Sequence, residues 1–559
     1  MSDAAAYDVL VIGGGVNGTG TARDCAMRGL RTALVEKRDV ASGASGANSG
    51  MIHGGIRYLQ TEPKVTKLSC IDSGYIQKIA PHLLFRIPFL FPVLRKGREA
   101  SLSERAYLYG AETVFSMYDD YQPLKRGKPS TRLTPAEALE LEPGLRPELV
   151  GALTTDEWGI DPQRLCAANA LSAKVHGADL FTHSQVVGLP RGPGGEILGA
   201  EVRREGKTEL LRARAVLNAS GPWSPRVAAL AGVTVRLRPG KGVHLTLDRR
   251  LSNYGIITEA VDGRQIFVYP HEQTSIIGTT DDDYYGDPDR IPITHDEVAY
   301  LLQGIEHVFP AVREARIVRA WAGVRPTLWG YGPYEDALSR DHRLVDHSEE
   351  GVPGFWSLLG GKLASYRVMA EETADAICRQ LGRGEPCRTH LEPLPGGESV
   401  PDVPLLAREH GVSEWVASRC VYRHGQKADE ILAQVHDEPW LGATLCACEQ
   451  VSFAEARWAI RNEFVQTLSD LRRRSRVGMG PCQGTRCAAS AAALLGRERK
   501  LSAAQTHAAL QGFLAARFSG QRVLLSGAGL AEQELSRAMH RGLAGDEAEL
   551  PPPAEGDRP

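Results

Sequence analysis

Four cysteines near the C-terminal end have a spacing that suits metal or redox chemistry. Cys446 and Cys448 form a C-x-C pair, and Cys482 and Cys487 form a C-x4-C pair after a stretch that predicts two short helices. Because compact structure would span that stretch, the two pairs can meet at one point. Four thiolates together suit a [2Fe–2S] cluster or a zinc ion, and four reduced free thiols are the remaining alternative. Structural zinc sites usually use C-x2–4-C pairs, so the C-x-C pair favours the cluster.

A glycine motif at the N-terminal end predicts dinucleotide binding. Gly13, Gly15 and Gly18 form G-x-G-x-x-G between an apolar strand and a helical stripe. Gly13 would make the tight turn, Gly15 would let backbone N–H groups reach a pyrophosphate, and Gly18 would let the helix pack on the sheet. Glu36 ends the second strand, where a ribose hydroxyl needs an acceptor. A plain glycine loop would not place strand, helix and acid in this register.

The glycines further along the chain favour FAD over NAD. A Ser/Gly-rich loop follows Glu36, a strand ends at Gly221, and a strand from Phe355 to Leu359 leads through Gly360 and Gly361 into a helix. A sheet that begins at residue 7 and is completed beyond residue 355 encloses a large insertion. This layout resembles the D-amino-acid-oxidase-like FAD-dependent oxidoreductases. The expected fold class is α/β, with a Rossmann-like FAD-binding domain, a mixed-sheet substrate domain and a small α-helical C-terminal cysteine-cluster domain.

Several sequence blocks narrow the resemblance to the FAD-dependent glycerol-3-phosphate dehydrogenases, over residues from about 7 to about 395. They read ARDCAMRGL, HGGIRYL (53–59), IIGTTDDDY (276–284), AGVRPT (322–327), SRDH (339–342) and GGKLASYR (360–367). The resemblance implies oxidation of sn-glycerol 3-phosphate to dihydroxyacetone phosphate by hydride transfer to FAD. It also implies that electrons pass on to a respiratory acceptor, either a membrane quinone or a partner subunit.

The same resemblance assigns roles to particular residues. A phosphate monoester needs several positive donors, and Arg57, Arg325 and Lys362 would converge on it beside the flavin, with Tyr58. His53 is the candidate base for the hydroxyl proton, with a structural histidine as the alternative, and Arg325 would stabilise the developing alkoxide. Thr279 and Thr280 would bond substrate hydroxyls. The predicted cofactor-binding residues are Gly13, Gly15, Gly18, Glu36, Lys37, Ser45, Ser49, Gly221, Gly323, Gly361, Lys362 and Leu363.

The cysteine region resembles the [2Fe–2S] domain of bacterioferritin-associated ferredoxin. That domain also ends the large catalytic subunit of the anaerobic glycerol-3-phosphate dehydrogenases, which DLRRRSRVGMGPCQGTRC resembles closely. Cys446, Cys448, Cys482 and Cys487 would then ligate the cluster. The stretch HGGIRYLQTEPKVTKLSC is more similar to the aerobic, single-subunit type, so the two resemblances leave the acceptor open.

We expect a discontinuous domain organisation. The predicted FAD-binding domain comprises 1–80, 150–235 and 335–385; the substrate domain 81–149 and 236–334; a linker and helical region 386–435; the cysteine-cluster domain 436–500; a helical region 501–548; and a disordered tail 549–559.

Composition limits the partners and the compartment. The chain has 65 Lys and Arg against 68 Asp and Glu, a net charge of −3 that gives no reason to expect nucleic-acid binding. The first residues, MSDAAAYDVLVIGGG, carry no basic region and cleavage site, so we expect a cytoplasmic enzyme. The apolar stretch 82–115 with its following Arg and Lys residues suggests a buried segment or a peripheral contact with the inner face of the cell membrane. An oligomer is possible on this sequence.

Two rival functions follow from the same residues. The first is an amino-acid or opine oxidoreductase of the same fold, which would need one carboxylate-binding Arg and no three-cation phosphate site. The second is a non-catalytic flavin or zinc scaffold that senses redox state or assembles partners.

Overall fold

The N-terminal apolar run forms the centre of a mixed sheet. In the computed structural model, which describes residues 7–332 and 338–543, side chains 9–12 are buried. A strand covered on both faces reads as a continuous apolar run, as YDVLVI does. The strands are β1 Tyr7–Ile12, β2 Thr32–Val35, β3 Leu84–Leu94, β4 Arg132–Leu133, β5 Leu149–Ile160, β6 Asp179–Phe181, β7 Gln185–Gly188, β8 Gly199–Arg204, β9 Lys207–Asn218, β10 Gly240–Leu247, β11 Gly255–Glu259, β12 Gln265–His271, β13 Thr274–Gly278, β14 Asp282–Asp283, β15 Ile317–Arg325, β16 His342–Asp346, β17 Phe355–Gly360, β18 Thr444–Cys446 and β19 Val451–Ser452.

Helices cover the sheets and build the C-terminal region. They are α1 Val16–Met27, α2 Pro63–Ile79, α3 Leu102–Asp119, α4 Pro135–Leu141, α5 Pro162–Val175, α6 Ser224–Leu230, α7 His295–Val308, α8 Tyr366–Leu381, α9 Val403–His410, α10 Glu414–His424, α11 Ala428–Asp437, α12 Phe453–Asn462, α13 Leu468–Ser475, α14 Ala488–Arg499, α15 Ala503–Arg522 and α16 Gly527–Leu543. Among the described residues, no helix is both long enough and apolar enough to cross a membrane.

The first sheet is the predicted dinucleotide-binding sheet. Its order is β16-β17-β9-β1-β2-β6, with β8 and β7 attached beyond β9. The pairs of β1 with β2 and β9 are parallel, as are those of β17 with β9 and β2 with β6. Helices α1, α5 and α8 pack together on one face. Strands from residue 7 and from residue 355 therefore share one sheet, and the predicted fold class is confirmed.

The second sheet carries nine strands, in the order β14-β10-β13-β12-β11-β3-β5-β4 with β15 beside β10. Helix α7 packs on it over a core that includes Val243, Leu245, Ile266 and Ile277. This sheet corrects the predicted domain boundary at residue 150. Strand β5 pairs with β3 along its whole length, from Leu149 to Ile160, and so belongs to the substrate sheet. The change of domain comes at Asp161, whose side chain caps the first amides of α5.

The first part of the apolar stretch 82–115, suggested as a membrane patch, is a sheet strand. Residues 84–94 form β3, in which Ile87, Phe89 and Leu90 are buried. Their apolar surface is used by the protein core and is not open to lipid. Helix α3, which follows, exposes Leu102, Tyr107 and Tyr109 instead.

The segment predicted as a linker at the start of the C-terminal region is packed against the FAD-binding domain. Leu394 is fully buried, and the guanidinium of Arg23 donates to the carbonyl oxygens of Thr389 and Glu392 at 3.1 and 2.6 Å. Beyond it, α9–α11 share one core with Trp458, and a second core surrounds the cysteines. Part of the predicted 501–548 helical region forms α15 and α16, and the predicted tail lies outside the described residues.

Candidate active site and candidate cysteine centre

A cavity of about 690 Å³ lies between the two sheets. Cofactor and substrate cavities usually measure about 300–1,000 Å³. Its walls are the end of β1, the loop after β2, the ends of β10 and β15, and the turn after β17. Of the predicted cofactor-binding residues, all but Gly18 line this one cavity.

The glycine turn fits close approach of a phosphate group. Gly13 has φ +114°, and a Cβ atom there would lie 2.6 Å from the carbonyl oxygen of Ala219. The amide of Val16 at the start of α1 donates to Ser45 Oγ at 2.9 Å, so the second loop reaches the helix N-terminus. Helix N-termini offer free amides and a positive dipole to anions. A pyrophosphate fits this donor set.

Gly18 has the packing role that the motif predicts. A Cβ atom at this position would lie 1.9 Å from the carbonyl oxygen of Gly13. The glycine therefore allows α1 to approach the β1 turn, although it does not line the cavity.

Glu36 faces the cavity at the end of β2. Its two carboxylate oxygens accept from the backbone N–H groups of Gly14 and Arg38 at 2.7 and 2.8 Å. Burial raises the pKa of this carboxyl, and the two amides oppose that shift. Each oxygen keeps a second lone pair, so a ribose hydroxyl could still donate to it. Lys37 points to the same end of the cavity, where Asp289 and the Trp223 ring hold its ammonium group.

Two of the predicted phosphate-binding arginines meet at a carboxylate. Arg325 forms an ion pair with Asp281, and Arg57 Nη2 lies 3.8 Å from the same side chain. Arg340 also pairs with Asp281, at 3.0 Å. All four side chains line the cavity. The residues come from different loops and strands, so the fold brings these charges together.

Lys362 is the third predicted cation. Its ammonium group donates to the carbonyl oxygen of Gly54 at 2.8 Å and lies 3.4 Å from that of His53. No carboxylate of the described residues lies within ion-pair distance of it. Burial lowers the pKa of Lys362 to about 8. The Tyr58 ring lies between the cations, 4.6 Å from the Arg57 guanidinium and 5.3 Å from Lys362 Nζ.

His53 lies on the cavity wall beside these cations. Burial, followed by the charges of Lys362, Arg57 and Lys125, holds the pKa of His53 well below its ordinary value. The imidazole is therefore neutral at neutral pH, which is the state a general base needs.

The two predicted threonines, Thr279 and Thr280, lie in different environments. Thr279 lines the cavity, and its hydroxyl lies 3.5 Å from Arg325 Nη2. Thr280 is buried behind it, where its hydroxyl accepts from the amide of Val243 and donates to the carbonyl of Lys241. The prediction that Thr280 contacts substrate is corrected, because its hydrogen bonds hold the sheet.

Sequence reasoning missed several cavity residues. His244 accepts or donates a hydrogen bond with Ser49 Oγ at 2.9 Å and stacks on Trp321. Glu157 lines the cavity and pairs with buried Lys125 at 2.6 Å. Asp281 and Arg340 complete the set. Each of the four lies within a strand or a charged run whose pattern reads equally well as structural. The DDD run at 281–283, next to the TT pair, was the available signal for Asp281.

The four predicted ligand cysteines lie in one neighbourhood. Cys446 and Cys487 belong to one core, Cys448 packs against that core, and Cys482 acts on Cys448. The Cys487 side chain, with help from the amides of Gly478 and Glu449, lowers the pKa of Cys446. Cys446 and Cys487 are buried, whereas Cys448 and Cys482 are partly exposed.

Three glycines, Gly478, Gly480 and Gly484, lie in the loop around Cys482. A Cβ atom at Gly480 would lie 2.4 Å from Cys448 Cβ. Gly478 and Gly484 have φ +79° and +92°, and the Phe513 ring of α15 packs on both. Amides of such a loop are available to sulfur acceptors.

The arrangement of the sulfurs distinguishes two kinds of metal centre. A tetrahedral zinc site with Zn–S bonds of about 2.3 Å places all four sulfurs about 3.8 Å apart. Over residues 7–332 and 338–543, the one group of three or more Cys, His, Asp or Glu ligand atoms within 4.8 Å of each other is Glu409, His410 and Asp429. No three of the cysteine sulfurs therefore approach that closely. The sulfurs lie farther apart than a tetrahedral zinc site requires.

The cysteine region is joined to the loop that lines the cavity. Arg474 and Asp39 form a fully buried ion pair at 2.5 Å, and Arg473 reaches the same carboxylate at 2.7 Å. Asp39 lies three residues after Glu36. Arg476 adds contacts to Asp161 and Glu449. Helix α13 thus ties the cysteine region to the dinucleotide-binding loop.

Comparison with known families covers most of the chain. Residues 8–375 match the family described as FAD dependent oxidoreductase, and residues 387–506 match the C-terminal domain of alpha-glycerophosphate oxidase. The second match spans both the segment predicted as linker and helices and the segment predicted as a ferredoxin-like domain.

Similar proteins agree with the family match. The chain is 37% identical over 553 residues to an anaerobic glycerol-3-phosphate dehydrogenase subunit of Escherichia coli (strain K12), covering 98% of each chain. The subunit of the same name from Haemophilus influenzae is 33% identical, over 96% of this chain and 93% of that one. The crystal structure of glycerol-3-phosphate dehydrogenase from Bacillus halodurans with FAD is similar in fold, with a TM-score of 0.73, 24% identity and coverage of 94% and 97%.

Proposed function

This chain belongs to the family of FAD-dependent glycerol-3-phosphate dehydrogenases, and from that premise we propose how its residues carry out the reaction. The chain oxidises sn-glycerol 3-phosphate to dihydroxyacetone phosphate, with FAD in the cavity between the two sheets. The observation that carries the assignment of roles is the group of cations Arg57, Arg325 and Lys362 around one end of that cavity.

The cations bind the phosphate of the substrate. A phosphate monoester carries close to two negative charges, and Arg offers it a planar pair of donors while Lys offers a point charge. Arg57 is held only loosely by Asp281, at 3.8 Å, and among the described residues Lys362 Nζ donates only to neutral carbonyls. Phosphate can therefore take both cations without breaking a tight ion pair.

His53 takes the proton of the C2 hydroxyl. FAD, when bound, supplies the acceptor for the hydride that leaves C2. The O–H bond electrons form the new C=O bond as the proton moves to the neutral imidazole. Arg325, fixed by Asp281 and close to Thr279, stabilises the negative charge that develops on the substrate oxygen.

A dye-linked assay tests the substrate and the phosphate site together. Glycerol 3-phosphate is expected to reduce the dye, whereas glycerol and glycine are not. Lys362→Met is expected to raise KM for glycerol 3-phosphate at least tenfold. Lys37→Met is the matched control, because Lys37 lines the same cavity but pairs with Asp289. It should change FAD retention and leave KM alone. Turnover of glycine and none of glycerol 3-phosphate would support the amino-acid oxidoreductase alternative instead.

The four cysteines hold a [2Fe–2S] cluster. Such clusters take four thiolates, two on each iron, and Cys446, Cys448, Cys482 and Cys487 supply four thiols from one part of the fold. Amides of Gly478, Glu449 and Cys482 are placed to donate to the sulfurs. A bound cluster would supply one-electron chemistry after the two-electron oxidation of the substrate.

Spectroscopy of the purified enzyme decides between the metal alternatives. An anaerobic visible and EPR spectrum before and after glycerol 3-phosphate should show flavin bleaching and a reduced-cluster signal, with about two irons per chain. A colourless C-terminal region with one zinc per chain would favour the structural-zinc alternative. An enzyme that contains neither iron nor zinc would support the alternative of four reduced free thiols.

Electrons leave through the partly exposed cysteines Cys448 and Cys482 to a partner subunit or a membrane quinone.

Membrane contact is assigned to α3. The helix exposes Leu102, Tyr107 and Tyr109 beside exposed Lys96 and Arg98, a combination that suits anionic lipid. Flotation with vesicles containing anionic lipid should recover the enzyme, and Leu102→Glu with Tyr109→Glu should abolish recovery. Equal flotation of the double variant would exclude this face.

A further inference from the structure

Three arginines beside the cysteine centre lack a carboxylate partner. They are Arg319 at the start of β15, Arg472 on α13 and Arg517 on α15. Within the described ranges, no carboxylate oxygen lies within 4.0 Å of any of the three guanidinium groups. All three residues are partly exposed, but Arg319 Nη1 and Arg517 Nε are buried atoms without a hydrogen-bond partner among the described residues. The fully buried arginines Arg423 and Arg474 each have a carboxylate at 2.5 Å.

The three arginines lie on or against helix α15, which packs on the cysteine loop. Gln521 of α15 donates to the carbonyl of Val318, and a Cβ atom at Gly520 would lie 3.4 Å from Arg319 Cγ, so α15 packs on the start of β15. On its other side, Phe513 of α15 contacts Gly478 and Gly484 of the cysteine loop. The Arg472 guanidinium lies 6.0 Å from the centre of the Phe513 ring.

Two of the arginines reach the loop that carries Cys482. Arg472 Nη2 donates to Gln483 Oε1 at 3.2 Å, and Gln483 is buried next to Cys482. Arg517 lies one helical turn after Phe513 on α15, and the Phe513 ring packs on Gly478 and Gly484 of the same loop. Arg472 and Arg319 repel each other, and burial with that repulsion lowers the pKa of Arg472.

A buried guanidinium nitrogen without an acceptor is costly, and several cations close together favour an anion between them. Glu449, whose charge acts on Arg472, already pairs with Arg476 at 2.9 Å. We infer that Arg319, Arg472 and Arg517 are the counter-charge of an anionic four-thiolate metal centre at the cysteines, and that they set its affinity for electrons. This inference rests on the proposed metal centre.

The charge of the centre explains why the arginines would tune it. A [2Fe–2S] cluster with four thiolates is a dianion when oxidised and a trianion when reduced, and net charge and hydrogen bonds around the sulfurs set its reduction potential. A nearby positive charge stabilises the trianion more than the dianion. Three guanidinium groups would therefore raise the potential, which favours transfer of electrons from reduced FAD to the centre.

The test is a potentiometric titration of the full-length enzyme, followed by EPR. Arg319→Gln, Arg472→Gln and Arg517→Gln should each make the midpoint potential more negative, by up to a tenfold change in the reduction equilibrium, or about 59 mV for one electron. Arg517→Lys keeps the charge and should stay near the wild-type value. Arg486→Gln is the matched control, because Arg486 is adjacent to Cys487 in sequence but exposed to solvent.

Each outcome decides the inference. Equal shifts in the three variants and in Arg486→Gln, or no shift in any, would overturn it while the cluster itself stood. If the wild-type enzyme holds zinc, the proposed cluster fails, and the inference stands only when the three variants lose zinc to a chelator faster than Arg486→Gln does. If the wild-type enzyme binds neither metal, no anion exists for the arginines and the inference fails too.

Discussion

The ammonium group of Lys362 faces the cavity with carbonyl oxygens as neighbours, and its pKa is lowered to about 8. Below that pH the group is charged and attracts the substrate phosphate; above it the group becomes neutral and the attraction is lost. We therefore expect kcat/KM for glycerol 3-phosphate to fall as pH rises through about 8. A pH profile of the dye-linked reaction measures this.

The control for that profile is Lys362→Arg, whose charge persists above pH 9. The pH at which kcat/KM falls should be higher in this variant, even though the different shape of Arg lowers the rate. A wild-type profile that stays level from about pH 7 to pH 9 would contradict the assignment of Lys362 to phosphate binding.

His53 offers a second prediction at this scale. Its low pKa keeps the imidazole unprotonated at neutral pH, as a base requires. His53→Gln should lower kcat by about 10²–10⁴-fold, the usual contribution of a general base, while FAD stays bound. Steady-state kinetics with the flavin spectrum measure both. A loss of FAD with little change in kcat per flavin would instead show a structural histidine.

The sequence could predict residues whose neighbours form a recognisable motif. His53, Arg325 and Lys362 each sit beside a glycine or proline in a matching block. Arg57 lies two residues after Gly55, and all four line the same cavity. His244 was not predictable in this way, and the signal for Asp281 was the DDD run at 281–283. Their contacts join positions far apart in sequence, such as Ser49 with His244, and only the folded chain brings those positions together.

At the scale of elements, α1 depends on Gly18. Because a Cβ atom would lie 1.9 Å from the Gly13 oxygen, Gly18→Ala must push the helix away from the turn. The strain of such overpacking is typically about 1–3 kcal/mol, and it falls on the phosphate-binding turn. We expect at least a tenfold weaker retention of FAD, measured by flavin content after gel filtration.

Gly110→Ala is the matched control for that change. Gly110 lies on the exposed face of α3, and a Cβ atom there would meet nothing within 4 Å. Alanine in a helix should leave FAD retention unchanged and make the protein slightly more stable, by up to about 1 kcal/mol. Equal FAD retention by the Gly18 and Gly110 variants would contradict the packing argument.

Elements with strong local patterns were predictable, and their partners were not. Asp161-Pro162 predicted the start of α5, where the Asp161 side chain caps the first amides. Strand β5 was also visible, but its pairing with β3 was not. An apolar strand fits either sheet on its own pattern, because the choice depends on the partner strand.

For the whole molecule, the buried pair Asp39–Arg474 links the cysteine region to the dinucleotide-binding loop. Removing one partner of a buried pair typically costs about 3–5 kcal/mol, because the other charge stays buried. Asp39→Asn and Arg474→Met should each lower the thermal unfolding midpoint and release FAD more readily. The double variant should be more stable than Arg474→Met alone. Additive losses in the double variant would show that the two side chains act independently.

Domain docking of this kind was the part of the molecule that the sequence did not predict. The segment 386–402 has the Pro, Gly and acidic composition of a linker, yet Leu394 is buried and Arg23 binds the backbone of the segment. Composition does not reveal that one leucine is buried or that two backbone carbonyls accept hydrogen bonds. Separate cores could be predicted from apolar runs, but not the contacts between them.

Strand β15 runs from Ile317 to Arg325. Arg319 near its start packs against α15, and Arg325 at its end lines the cavity. The cysteine region therefore depends on contacts between α15 and the second sheet. A flavoenzyme of this fold that acquired residues 403–522 by gene fusion would also need a cation at the position of Arg319, on a strand that already carries a substrate-binding group. On the proposed roles of Arg319 and Arg325, a single strand of nine residues couples the metal centre to the substrate site.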